Sequence, residues 1–197
     1  MSFINYALKE IHCKIIYFGA GMGGKTTNVQ YIYEHTQNEP KSQLMTIGSE
    51  NERTLFFDFL PLTIGKIGDF NVRFHLYSIP GQTFYETSPD FILKGVDGIV
   101  FVVDSLEERM EANIEAFETL STRLKRHGYD MDRVPFVFQY NKRDMPGAVS
   151  VQELQTTFNP KNKIYFEAIS NRGVGVMETL QGVCELVIKG LKGSSDN

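Results

Sequence analysis

Gly19-Ala20-Gly21-Met22-Gly23-Gly24-Lys25-Thr26 reads G-x-x-x-x-G-K-[ST] at every fixed position. The glycines let the backbone bend until its N–H groups converge on phosphate oxygens. A helix beginning at the lysine adds the partial positive charge of its N-terminus. Lys25 is then placed to bridge the β- and γ-phosphates, and Thr26 to set its hydroxyl on Mg²⁺. The chemistry is the binding of a nucleoside triphosphate, with Gly19, Gly21, Met22, Gly23, Gly24, Lys25, Thr26 and Thr27 as the contact residues.

The base is read from a second motif, Asn141-Lys142-Arg143-Asp144, or N-K-x-D. A carboxylate aimed at a purine edge accepts two bonds from guanine, at N1–H and the exocyclic amine. Adenine presents an acceptor at N1 and would leave Asp144 desolvated and unpaired. Asn141 is expected to bond the other purine edge and to tie loops together, and the Lys142 stem to pack over the ring. Farther on, Ser170 follows Glu167-Ala168-Ile169 and is expected to offer its backbone N–H to the guanine oxygen.

Elements that position these motifs follow from periodicity. Short apolar runs alternate with helical patterns, the signature of βαβ units and a mostly parallel sheet. Strands are expected at Cys13 to Phe18, Thr54 to Leu62, Val72 to Ile79, Gly98 to Val103, Val134 to Tyr140 and Ile164 to Glu167. The second and third are joined by a turn at Gly65 to Asp69. Gly98 to Val103 is apolar without alternation, which marks a central strand buried on both faces. Helices are expected after Lys25, through the stripe Met110, Ile114, Phe117, Leu120 and Leu124, and through Val176, Leu180, Val183, Leu186, Val187 and Leu191. The predicted fold is α/β, a three-layer α/β/α P-loop architecture around a mostly parallel sheet. Residues 1–193 read as one domain and 194–197 as a flexible tail.

The 197 residues are 42% apolar and 22% charged, ordinary for a soluble globular protein. A net charge of −4 argues against nucleic acid as the main partner. Cys13 and Cys184 are far apart in apolar segments and read as buried free thiols of a reducing cytosol. No apolar run approaches the ~18 residues of a membrane span. Neither the Met-Ser-Phe start nor the Gly-Ser-Ser-Asp-Asn end carries a lipidation signal, so membrane contact is expected only through partners or a surface patch. His12, His35, His75 and His127 are scattered and read as structural. Arg123-Leu124-Lys125-Arg126 reads as the solvated cationic end of a helix.

Taken together these motifs resemble the Ras-like small GTPases, and among them the bacterial polarity and gliding-motility GTPases of the MglA branch. The resemblance covers nearly the whole chain. It is carried by Thr27-Asn28-Val29-Gln30-Tyr31-Ile32-Tyr33 after the phosphate loop, Glu52-Arg53-Thr54-Leu55-Phe56-Phe57-Asp58-Phe59-Leu60-Pro61, Pro80-Gly81-Gln82, Leu93-Lys94-Gly95-Val96-Asp97-Gly98 and Gln139-Tyr140-Asn141-Lys142-Arg143-Asp144. It implies a GTP/GDP switch with Mg²⁺, a roadblock-fold activating partner of the MglB kind, effectors of surface motility or type IV pili, and a cytoplasmic protein recruited to a cell pole through partners.

The resemblance also implies roles in the switches. Thr54 takes the switch I position on Mg²⁺ and the γ-phosphate, Gln82 orients the attacking water, and the Gly81 N–H meets the γ-phosphate. Arg53 reads either as an arginine finger supplied from the same chain or as a solvated loop residue. Ser78 stands where most small GTPases carry the aspartate of D-x-x-G, a position at which the MglA branch also departs. A hydroxyl there can accept from a metal-bound water but adds no charge, so weaker Mg²⁺ retention is expected. Asp104 reads as a loop cap or as an alternative metal charge. Phe56, Phe57, Phe59, Phe84 and Tyr85 read as strand core or as a state-dependent partner surface. The expectation is a slow GTPase with Gln82, Arg53 and Lys25 as catalytic residues. Two rivals remain: a guanine-nucleotide scaffold that does not hydrolyse, with Ser78 as the lesion, and a P-loop kinase, which N-K-x-D disfavours.

Overall fold

The computed structural model describes residues 3–36, 45–49, 53–79 and 92–193, with backbone alone described for 45–49 and 53–65. A hairpin opens the chain: β1 (Phe3–Asn5) pairs antiparallel with the start of β2 (Glu10–Phe18). β2 leads into α1 (Lys25–His35), then β3 (Met45–Ser49), β4 (Arg53–Ile67) and β5 (Phe70–Ser78). β6 (Gly98–Asp104), α2 (Met110–Arg126), β7 (Phe136–Asn141), α3 (Val151–Phe158), β8 (Tyr165–Glu167) and α4 (Val176–Gly193) complete the order.

One sheet runs β3-β4-β5-β2-β6-β7-β8. β5, β2, β6, β7 and β8 are parallel, and β3 and β4 add an antiparallel edge. Every residue of β6 and β7 is buried, as the unbroken apolar run Gly98 to Val103 requires of a strand covered on both faces. One face packs Ile16, Phe18, Phe101 and Phe138 against Leu120 and Leu124 of α2 and Leu154 and Phe158 of α3. The other packs Ile15, Tyr17, Val100 and Val137 against Val29 and Ile32 of α1 and Leu180, Val183 and Val187 of α4. The three-layer α/β/α expectation is met. Both cysteines are buried and in no disulfide, and burial pushes the Cys184 thiol up. Among the described residues no helix is long and apolar enough to cross a membrane.

Several local expectations are corrected. The β4–β5 turn is tighter than Gly65 to Asp69: pairing continues to Ile67↔Phe70, leaving Gly68 and Asp69 at the tip. Strand β7 begins at Phe136, after Pro135, and β8 at Tyr165. Ile114 is 41% exposed, because Asn113 takes the buried face of α2 instead. Its amide reads the end of β6: the Asp104 N–H donates to Asn113 Oδ1 at 3.1 Å, and Asn113 Nδ2 donates to the Asp104 carbonyl at 2.8 Å. Helix α3 carries no expectation in the sequence reading. Its start is nevertheless written in Ser150-Val151-Gln152-Glu153, where the Ser150 hydroxyl accepts from the Glu153 N–H at 3.2 Å.

The histidines are not all scattered. His12 on β2 and His75 on β5 meet at 2.9 Å between ring nitrogens, and His12 reaches Glu10 at 3.2 Å. Among the described residues there is still no group of three or more His, Cys, Asp or Glu arranged to hold a metal.

Candidate nucleotide-binding site

The parallel strands all end on one side, and β2, β6, β7 and β8 deliver their loops there. That is where an open α/β sheet binds ligands. The phosphate loop leaves β2 with two steric conditions. At Gly19 an added Cβ would stand 2.1 Å from the Val102 carbonyl oxygen, so the loop passes against β6 with no room for a side chain. Gly24 has φ 99 and begins α1, and a Cβ there would stand 2.1 Å from Asn141 Nδ2. Between them Met22 is exposed and also left-handed, at φ 62.

Lys25 folds back beneath the loop. Its ammonium is buried and donates to the Gly19 carbonyl at 3.0 Å and the Ala20 carbonyl at 2.6 Å. Burial, with the nearby Arg109 cation second, lowers its pKa to about 8. Thr27, the next residue but one, is half-buried in the first turn of α1.

Thr26 and Ser78 are brought together across the sheet. Their hydroxyl oxygens are 3.4 Å apart, with Ser78 buried at the end of β5. Two hydroxyls beside a phosphate loop fit Mg²⁺, a cation that takes oxygen ligands and keeps several of its own waters. They supply no negative charge.

Asn141 ties the loops, as expected, and the tie occupies it. Nδ2 donates to the Gly23 carbonyl at 2.8 Å and to Ser170 Oγ at 2.9 Å, while Oδ1 accepts the Ser170 N–H at 3.0 Å. The Ser170 N–H thus has Asn141 Oδ1 as its partner, and the Asn141 amide is shared between Gly23 and Ser170. Lys142 has φ 63, and its ammonium donates to Asp104 Oδ2 at 2.6 Å. Asp104 is fully buried, and its Oδ1 accepts the Leu106 N–H at 3.3 Å. It is both a loop cap and an ion-pair partner. Asp144 faces Arg172 at 3.5 Å.

Gly81 and Gln82 lie outside the described residues, as do Phe84 and Tyr85. For Arg53 and Thr54 the backbone is described: it opens β4, opposite Ser49 and Gly48 of β3. The side chains of Phe56, Phe57 and Phe59 are likewise outside what is described. Two residues of the site went unforeseen. Arg109 donates to the Gly21 carbonyl at 2.8 Å, and Arg172 stands beside Asp144. Neither belongs to a motif, and both reach the site only through tertiary contact.

The family profile described as "Arf: ADP-ribosylation factor family" matches residues 2–194. The chain belongs to that family of small GTPases. It is 54% identical over 192 residues to "Mutual gliding-motility protein MglA" of Myxococcus xanthus, covering 98% of both chains, which places it in the MglA branch. It is 26% identical to "ADP-ribosylation factor-like protein 4A" of Homo sapiens, over 90% of this chain and 77% of that one. It is also 26% identical to "ADP-ribosylation factor-related protein 1" of Bos taurus, over 77% of this chain and 69% of that one. This small GTPase therefore binds GTP and GDP.

Proposed function

We propose that this small GTPase is a Mg²⁺-dependent switch for cell polarity and surface motility, slow on its own and accelerated by a roadblock-fold partner of the MglB kind. The observation that carries the nucleotide chemistry is the Asn141 tie, which joins the phosphate loop to the base loop at the common ends of the parallel strands. The motility reading rests on the Myxococcus xanthus relative, named for gliding and alike along nearly the whole chain. In this reading the protein works in the cytoplasm and is brought to a pole by its partners.

Water attacks the γ-phosphate in line with the departing oxygen. Gln82 orients it, and the Gly81 N–H meets the γ-phosphate. Lys25 and Arg53 neutralise charge as it spreads over the equatorial oxygens. Asp144 accepts from the guanine edge. Thr26 and Thr54 are the residues that would hold Mg²⁺, with Ser78 accepting from one of its waters; the bound ion offsets phosphate charge.

Single-turnover GTP hydrolysis in Mg²⁺, with and without the roadblock partner, tests the proposal. Slow turnover accelerated by the partner is the expected result. Tight GTP binding with no turnover in either case would favour the second reading, a scaffold that reads GTP without consuming it. The uncharged Thr26–Ser78 pair is what recommends that alternative. Arg53→Ala is expected to spare GTP affinity and to lower stimulated turnover by ~10³, since the guanidinium acts in the transition state. Unchanged stimulated turnover would remove the finger from the mechanism.

A further inference from the structure

The loop after β6 sends Arg109 back over the phosphate loop. Its Nη2 donates to the Gly21 carbonyl at 2.8 Å, joining residues 88 positions apart. Its Nε stands 3.7 Å from Asp104 Oδ2. That same oxygen accepts from Lys142 at 2.6 Å. The carboxylate is fully buried, and the Asp104 backbone is held at both N–H and carbonyl by Asn113. One fixed anion therefore serves two cations, one reaching the phosphate loop and one belonging to the base motif.

The contact on Gly21 has a directional consequence. In a trans peptide the carbonyl and the next N–H point in opposite directions. A guanidinium holding the Gly21 carbonyl thus turns the Met22 N–H away from itself. Met22 needs such a hold, because it is a non-glycine residue at φ 62 in a loop of glycines that are costly to order. Arg109 is also near enough to Lys25 to depress its pKa, second to burial.

We propose that Arg109 is a positioning residue: anchored on Asp104, it fixes the Gly21–Met22 peptide for the nucleotide phosphates and locks the phosphate loop to the base loop. The role is nucleotide retention, acting through backbone that touches phosphate. The inference rests on the assignment of this cluster as the nucleotide site.

The test is the release of fluorescently labelled GDP and GTP from the full chain, chased with unlabelled nucleotide in a stopped-flow instrument. Arg109→Met keeps the stem and removes both contacts. It is expected to release both nucleotides roughly ten- to a hundredfold faster, the loss of one charge-assisted bond. Its preference for GTP over ATP should stay unchanged, because the base is read elsewhere. Arg109→Lys keeps the charge without the fork and should fall between the two. Asp104→Asn should speed release and also weaken the preference for GTP, since Lys142 loses its partner. The double variant should release more slowly than the product of the single effects, because both substitutions break one network. A general loosening of the fold would lower the melting temperature and change both readouts together.

Wild-type release rates from folded Arg109→Met would overturn the proposal. Should that variant not fold, Arg109→Gln decides in its place by the same criterion. A wild-type protein that fails to retain GDP at all would instead overturn the site assignment.

Discussion

The hydroxyls of Thr26 and buried Ser78 face each other at 3.4 Å, and neither carries a charge. Ser78→Asp restores a charge next to a divalent cation. It is expected to lower the Mg²⁺ concentration needed to retain GDP by about tenfold, the weight of one charge-assisted contact. It should also lower the melting temperature in excess chelator, where the new carboxylate is buried and unpaired. A Mg²⁺ titration of GDP release reads the first and a thermal melt in chelator the second, and an unmoved Mg²⁺ midpoint would exclude Ser78 from the metal's surroundings. Lys25 offers a second test. Its pKa is about 8, below the ordinary 10.5, because it is buried and faces Arg109. Phosphate requires the charged form. GDP affinity should hold below about pH 8 and fall as pH rises above it, where binding must take up a proton. Calorimetry in two buffers of different ionisation enthalpy, near pH 9, should detect that uptake. Without nucleotide the sign reverses: the unfolded chain holds the proton up to 10.5, so this group adds stability as pH rises from about 8 toward 10.5.

At the scale of elements, helix α4 and strand β6 meet where β6 has no side chain. A Cβ on Gly98 would stand 2.9 Å from a Val187 methyl, 3.0 Å from a Val183 methyl and 3.5 Å from Ile15. Gly98→Val is therefore expected to push α4 off the sheet and to cost about 1–3 kcal/mol, read as a lower urea midpoint. An unchanged midpoint would mean that α4 yields freely. A buried polar bridge ties the same layer. Gln139 on β7 donates to Asn28 Oδ1 of α1 and to Thr179 Oγ1 of α4, both at 2.9 Å, and Asn28 Nδ2 returns a bond to Gln139 Oε1 at 2.8 Å. Because α1 begins at Lys25, this bridge sets the depth of the helix that carries Lys25 and Thr26.

For the molecule as a whole, residues 1–193 are proposed to unfold as one unit, since both helical layers press on one shared sheet. Scanning calorimetry should show a single transition. GDP with Mg²⁺ should raise it, by about 4 kcal/mol at a thousandfold excess over Kd. Two separable transitions would divide the chain.

The sequence by itself determined the chemistry and the alternation of strand and helix around the parallel strands, but not β1, β3 or α3. G-x-x-x-x-G-K-[ST] and N-K-x-D are local signals because each is one short loop after a strand, β2 and β7. The unbroken apolar run of β6 announced a strand covered on both faces. The Ser150–Glu153 cap was equally local, a signal present and unread. The tertiary structure alone decided what those motifs touch. Asn141 and the Ser170 N–H, 29 residues apart, bond one another. Asp104 gained two cations, His12 met His75, and Arg109 reached Gly21 from 88 residues away. A buried hydrogen-bonding group takes its partner from whatever the fold brings within about 3 Å, and that distance is not a function of sequence spacing.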